Sequence, residues 1–160
     1  MTKGRTPRIY ADTSVFGGVF DTEFTEASER FFAAVRNGSI RLILSDVVAR
    51  ELAEAPDRVQ RLLLDLPPAH VERISEQDES LALRDAYLAD GVVGRRWEGD
   101  AMHVAVATVC RADVLVSWNF RHLVRLDRIR GFNAANLRLG YAQIEIRSPM
   151  EVAYETEEDV

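Results

Sequence analysis

The segment Arg41-Leu42-Ile43-Leu44-Ser45-Asp46-Val47-Val48-Ala49-Arg50-Glu51 joins an apolar, strand-forming run directly to a helical one, with Ser45 placed as the N-cap between them. Glu51 falls in the second turn of that helix. The same order, an apolar run and then a polar terminus, recurs on either side. Arg8-Ile9-Tyr10-Ala11 is a short β-prone run that stops at Asp12, at the hydroxyls of Thr13 and Ser14, and then at Gly17-Gly18. Val114-Leu115-Val116-Ser117-Trp118 reads as a buried strand closed by Asn119. Before it, Asp100-Ala101-Met102-His103-Val104-Ala105-Val106-Ala107 follows Glu98-Gly99 and repeats small apolar residues at helical spacing. Its acid lies in the first turn, where the helix dipole favours one.

The remaining pattern fills in the order. A helix is expected over 25–36, stopped by Asn37-Gly38, and another over 57–66, bounded by Pro56 and Pro67-Pro68. Residues 70–74 read as a short strand, 76–90 as an amphipathic helix ending at Gly91, and 91–99 as a loop holding Arg95, Arg96 and Trp97. One or two short arginine-rich helices follow Asn119, and a last strand over 144–147 is closed by Pro149. Strands alternating with helices predict an α/β fold with a mainly parallel sheet of about five strands, covered on both faces.

At 160 residues without a Pro-, Gly- or Ser-rich linker, the chain fits one domain over 1–150, with an acidic and mobile tail over 151–160. The hydrophobic fraction of 47% and charged fraction of 29% are those of a globular protein, and no run approaches a membrane span. No secretory leader is visible, so the cytoplasm is the expected location and no membrane partner is expected. The single cysteine, Cys110, has no internal partner and reads as a small packed hydrophobe.

Lys3 is the only lysine, which excludes a P-loop, a Schiff-base lysine and the later lysine of haloacid-dehalogenase-like phosphatases and receiver domains. The formal charge of −6 includes five acids in the last ten residues, leaving about −1 for the rest. Arg121, Arg125, Arg128, Arg130 and Arg138 face only Asp127 in their stretch, a local positive excess directly after Asn119. That excess suits a phosphate backbone, or else these side chains pair with surface acids.

Asp12, Glu51, Asp100 and Asn119 thus stand at element ends on the carboxyl side of the strands, where ligands gather in parallel sheets. Two carboxylates about 5 Å apart repel by roughly 3 kcal/mol at an effective dielectric near 20, so a cluster of three calls for a cation. Oxygen ligands without a His or Cys set select a hard ion, Mg²⁺ or Mn²⁺. The plainer reading is four unrelated positions: a turn residue, a helix-face charge, a helix-start acid and a turn former.

With Tyr10-Ala11-Asp12-Thr13-Ser14, Glu51, Asp100-Ala101-Met102-His103-Val104-Ala105 and Ser117-Trp118-Asn119-Phe120-Arg121-His122, the chain resembles the PIN domain family from about Arg8 to Pro149. Gly140-Tyr141-Ala142-Gln143-Ile144-Glu145-Ile146 with Ser148-Pro149 resembles the end of its VapC-like toxin subgroup. The resemblance implies a three-layer α/β/α sandwich and a Mg²⁺- or Mn²⁺-dependent ribonuclease, with water attacking to leave a 5′-phosphate and a 3′-hydroxyl. It also implies a type II toxin with a cognate antitoxin, and a homodimer. Asp12 and Asp100 would be metal ligands, Glu51 a ligand or the group that helps deprotonate water, and Thr13, Ser14 and Ser117 their supports. Asn119 departs from the family's fourth Asp and removes one negative charge, which favours one metal ion over two. Arg121, His122 and Arg125 are the expected RNA contacts. The alternatives are a PIN-fold binding module with weak or no catalysis, or a housekeeping RNA-processing nuclease.

Other residues keep two readings. His103, one turn from Asp100, reads as a partly buried helix histidine or as the orienter of a ligand. Trp118 and Trp97 read as core and as loop cover or dimer contact, with base stacking as the alternative. Glu54 and Glu98 are spare acids, and Asp113 is a turn residue before the fourth strand.

Overall fold

The computed structural model describes residues 4–155. Five strands, β1 (Arg8–Ala11), β2 (Arg41–Ser45), β3 (Val71–Ile74), β4 (Val114–Val116) and β5 (Glu145–Arg147), form one sheet in the order β3-β2-β1-β4-β5. Every pairing is parallel. The helices α1 (Thr13–Gly18), α2 (Thr25–Arg36), α3 (Asp46–Ala53), α4 (Asp57–Leu64), α5 (Asp78–Ala89), α6 (Glu98–Val109), α7 (Leu126–Arg138) and α8 (Pro149–Glu155) cover it, giving an α/β/α sandwich. Short 3₁₀ turns occupy Pro68–His70 and Arg95–Trp97. Among the described residues no helix is long and apolar enough to cross a membrane.

The central strands explain the all-parallel sheet. Ile9, Tyr10, Ala11, Leu42, Ile43, Leu44, Leu115 and Val116 are all buried, as strands covered on both faces must be. The chain steps from β1 to β2 to β3 in one direction and then crosses back to place β4 on the other side of β1. That reversal opens a crevice beyond the carboxyl ends of β1 and β4, the usual ligand position in such sheets. Register brings its walls together: Ala11 pairs with Val116, so Asp12 and Ser117 follow side by side, and the Asp12 amide donates to the Val116 carbonyl at 3.2 Å.

Ser45 caps α3 by accepting from the Val48 amide at 3.1 Å, as the serine between strand and helix predicts. Gly38 and Gly91 take positive φ after α2 and α5. Arg111 holds the same place after α6 with φ 58°, closed by Arg111 N–H to Thr108 O and Ala112 N–H to Ala107 O, a Schellman turn built without glycine. The layer of α5, α6 and α7 is tied by a buried network in which the Tyr87 hydroxyl donates to Asn136 Oδ1 at 2.5 Å and Asn136 Nδ2 donates to Thr108 Oγ1 at 3.3 Å.

Some boundaries differ from the sequence expectation. The Gly17-Gly18 stretch is the last turn of α1 rather than a loop. Gly18 is required there, since a Cβ would lie 2.6 Å from both Ser28 Oγ and Trp118 Nε1. The arginine-rich segment forms one helix, α7, and residues 95–99 belong to a 3₁₀ turn and the start of α6. Pro149 opens α8 rather than merely closing β5, because proline's fixed φ and missing N–H suit a first helical turn. Val152 is buried, and α8 packs on α2, so ordered structure continues through Glu155. The part of the expected acidic tail over 156–160 lies outside the described residues.

Candidate functional site

Asp12 leaves β1 as the N-cap of α1 and is only 5% exposed. Its Oδ1 accepts from the Ser14 amide at 3.1 Å and the Ser14 hydroxyl at 2.5 Å, and its Oδ2 accepts from the Ser117 hydroxyl at 2.5 Å. Each serine also accepts a backbone N–H from the segment just past β4: Trp118 N–H reaches Ser14 Oγ and Asn119 N–H reaches Ser117 Oγ, both at 2.9 Å. Ser14 and Ser117 therefore orient the carboxylate and lock the end of β4 to the end of β1 in the same set of bonds.

Asp100 lies in the first turn of α6, half-buried and within reach of the charge of Asp12. Burial pushes the Asp12 and Asp100 carboxyls above the usual range. The charge of Asp12 raises Asp100 further, while the nearby imidazoles of His103 and His122 and a hydrogen bond from Asn119 pull it back. Two carboxylates whose ionised forms are disfavoured, both by burial and Asp100 also by the charge of Asp12, have the chemistry of a cation site.

Glu51 is placed differently. Its Oε1 meets His103 Nε2 at 2.9 Å, and its Oε2 accepts from the Thr13 hydroxyl. Burial raises this carboxyl, but the bond to His103, the imidazole's charge, Thr13 and Arg50 outweigh it and hold Glu51 below the usual range. His103 is 4% exposed and uses its other nitrogen as well: Nδ1 lies 2.7 Å from the Tyr10 hydroxyl, which lies 2.9 Å from Ser45 Oγ. Burial lowers the imidazole, yet the bond to Glu51 and the charges of Asp12, Glu51 and Asp100 leave it above its ordinary value. The run Ser45–Tyr10–His103–Glu51 is satisfied with neutral or charged His103, because the Tyr10 hydroxyl can donate to the ring or to Ser45.

His103 is thus the shared neighbour of all three acids. Of its two sequence readings, the buried helix histidine is the one observed, with Nε2 bonded to Glu51 and Nδ1 to Tyr10. The available signal was its spacing, i+3 from Asp100 on a helix whose other inward residues are small and apolar.

Asn119 faces Asp100 through its amide group. Its Oδ1 accepts from the Arg121 amide at 3.2 Å and the His122 amide at 3.0 Å, so this oxygen shapes the loop. Among the described residues no three His, Cys, Asp or Glu side chains are grouped closely enough to hold a metal ion unaided. The expected third ligand, Glu51, is turned to Thr13 and His103. Mg²⁺ is commonly held by only one or two carboxylates plus water and phosphate oxygens, and Asp12 with Asp100 fit that mode. Both His103 nitrogens are engaged, which leaves an oxygen-only set suited to a hard ion.

The other candidates separate. Glu54 and Glu98 are exposed, and among the described residues neither carboxylate is bonded to the side chains of the three acids; Glu54 touches Glu51 only through its backbone, its N–H donating to the Glu51 carbonyl at 3.2 Å. Asp113 lies at the opposite end of the sheet, where it accepts the Arg8 amide at 2.7 Å and pairs with Arg5. Arg125 pairs with Asp127 and Arg138 with Asp90, while Arg128 donates to the Val92 carbonyl. Arg121 is exposed and without an ion pair among the described residues. The positive stretch is therefore partly neutralised, with Arg121 the free charge next to Asn119. Trp118 is core, stacked on Phe24 at 4.2 Å and donating to Ser28 Oγ. Trp97 is 37% exposed and stacks on His122. No protein-family model matches the chain, and no curated protein is significantly similar to it in sequence.

Proposed function

We propose that this chain is a PIN-type ribonuclease, dependent on Mg²⁺ or Mn²⁺, that hydrolyses RNA phosphodiester bonds in the cytoplasm as the toxin of a type II toxin–antitoxin pair. The observation that carries the reading is the pairing of Asp12 and Asp100 at the switch point, each with its ionised form disfavoured, beside a Glu51 held anionic. A structural ion cluster offers a counter-charge to each acid. Here His103 is bonded to Glu51, and Asp12 and Asp100 receive only the field of nearby imidazoles, which does not offset their burial.

Asp12 and Asp100 would hold the cation, which when bound supplies charge stabilisation at the scissile phosphate and a more acidic water. Ser14 and Ser117 keep Asp12 in one orientation and free of rotamer search. Glu51, fixed by Thr13 and His103, accepts a proton or hydrogen bond from the attacking water. Arg121 and His122, on the loop organised by Asn119, border the path of the RNA backbone.

The test is cleavage of single-stranded and structured RNAs with Mg²⁺ or Mn²⁺ by wild type, Asp12→Asn and Asp100→Asn. The reading requires loss of at least about 100-fold in both variants and full loss in EDTA; equal rates would overturn it. Growth arrest on expression, relieved by a small neighbouring gene product, tests the toxin role and its antitoxin, and light scattering tests the homodimer. Arrest-free expression of the active enzyme would point to housekeeping RNA processing. A second reading, an RNA- or protein-binding module with weak catalysis, is favoured by the engaged oxygen of Asn119. RNA binding without cleavage or metal uptake would establish it.

A further inference from the structure

We infer that the free edge of β5 is an interface for a second copy of this chain, the two β5 strands pairing antiparallel about Ile146 so that both sheets run into one; this goes beyond the ribonuclease reading and does not depend on it. β5 is the last strand in the sheet order, so one side of its backbone faces away from β4. The Ser117 amide donates to the Arg147 carbonyl at 3.1 Å, which turns the backbone of Arg147 toward β4 and, by the alternation of a strand, that of Ile144 and Ile146 outward. At Ile144 the edge is closed: its N–H donates to Asn133 Oδ1 at 2.7 Å, and its carbonyl accepts from Asn133 Nδ2 at 3.1 Å. At Ile146 nothing among the described residues takes the outward N–H or carbonyl. An antiparallel hydrogen-bonded pair joins one residue of each strand through two N–H···O bonds, so a two-fold axis beside Ile146 satisfies both copies at once.

Charge selects the partner and the register. Glu145 and Arg147 flank Ile146 on the face of the sheet toward α8, where Arg147 bonds Glu145 at 2.8 Å and reaches Glu151 at 3.5 Å. In the paired strands Glu145 stands directly opposite the second copy's Arg147, and Arg147 opposite its Glu145. A register two residues away in either direction would instead set Glu145 against Glu145 or Arg147 against Arg147. The sequence Glu-Ile-Arg is therefore complementary to its own reverse in one alignment, the same one that the open Ile146 backbone requires. On the other face a groove of about 490 Å³ runs between this edge and α7, bordered by Leu126, Ile129 and Leu137. Leu126 and Leu137 are 63% and 57% exposed, and the same axis sets the two α7 helices antiparallel on one face of the joined sheet, where these side chains are covered.

The experiment follows sedimentation velocity and amide hydrogen exchange in wild type, Glu145→Arg, Arg147→Glu, the variant carrying both changes, and an equal mixture of the two single variants. Each single reversal sets like charges opposite each other across the axis and should weaken self-association at least about tenfold. The variant with both changes restores opposite charges and should associate as wild type does. In the mixture one copy carries arginine at both positions and the other glutamate at both, so the two single variants should pair with each other although neither pairs with itself. The Ile146 amide should exchange slowly in wild type and fast in either single variant alone. A wild type that stays monomeric at about 100 µM overturns the interface. So does a dimer that both single variants retain, or an Ile146 amide that exchanges equally fast in every sample, since association would then use another surface. None of these results bears on the ribonuclease reading, which stands or falls on its own cleavage assay.

Discussion

Replacing Asp12 by Asn should stabilise the metal-free protein while abolishing its activity. The carboxylate is nearly sealed from solvent, its ionised form is disfavoured by burial, and its charge in turn disfavours ionisation of Asp100. Removing one of two nearby like charges relieves on the order of 1–3 kcal/mol. Against this, Asn has one acceptor oxygen where Asp12 has two, so the bond from Ser14 or from Ser117 must be reversed or lost, costing about 1 kcal/mol. The net is a gain of about 1 kcal/mol, or roughly 2–4 °C in Tm for a domain of this size. The sign with pH is set by the raised pKa. A carboxyl raised on folding stabilises only while protonated, and that contribution is lost as pH rises through its folded pKa, so the variant's advantage is full at pH 7.5 and shrinks on acidification. Differential scanning fluorimetry at pH 7.5 in EDTA gives the first reading. Repeating it in Mn²⁺ gives the second: at about 100 times Kd the ion adds roughly 2.7 kcal/mol to wild type and far less to Asp12→Asn. A variant that melts several degrees below wild type in EDTA, or that gains as much from Mn²⁺, would refute the view that this carboxylate is kept for a cation at the expense of stability.

Gly18→Ala should cost about 2–4 kcal/mol, because its Cβ displaces Trp118 Nε1 and Ser28 Oγ and breaks their 2.9 Å bond; denaturant melts check this, and a change under 1 kcal/mol contradicts the close approach. Arg111→Gly should raise stability by about 0.5–1 kcal/mol, since an L-residue with φ 58° is strained in the Schellman position; a lower Tm would mean that the arginine side chain contributes more than the strain costs. His103→Gln should flatten the pH dependence of stability. A histidine raised on folding contributes fully below its unfolded pKa, near 6.5, and loses that contribution as pH rises through the folded value, so wild-type Tm should decline above pH 6.5 more steeply than the variant's. Parallel profiles would exclude a charged His103 between the acids.

Local patterns in the sequence carried the scaffold. The alternation of apolar runs with helical stretches gives the parallel sheet, and Ser45, Gly38 and Gly91 mark element ends where they are observed. Such signals act within one or two turns of the chain, so they are readable from neighbours. Helix α1 was hidden because Gly17-Gly18 is a poor helix sequence, and the element rests on the Asp12 cap and on the fit of Gly18 under Trp118. Helix α8 was hidden because Pro149 is equally a strand stop and a first helical residue, and only packing on α2 decides between them. Asn119 read either as a turn former or as a stand-in for a fourth acid, and its oxygen takes amides two and three residues on, an outcome of local backbone geometry that composition does not encode.

The inequality among the three acids was the least legible property, and it bears most on mechanism. In sequence Asp12, Glu51 and Asp100 are alike: each follows an apolar run and each is read as one third of a cluster. Folding separates them through two contacts that join residues far apart in the chain, His103 to Glu51 and His103 to Tyr10. Because the imidazole bonds to Glu51, that carboxylate is lowered, while Asp12 and Asp100 receive only its more distant field and remain raised. Environments that push like groups apart in pKa commonly assign them different work. A raised pair invites a cation that both can share, whereas a lowered, doubly anchored carboxylate is already stable as an anion and is free to act as an acceptor. The fourth position fits the proposed division: with the Asn119 oxygen committed to the backbone, it adds no negative charge for a second ion, so the reading we propose has one cation between Asp12 and Asp100, with Glu51 set beside it.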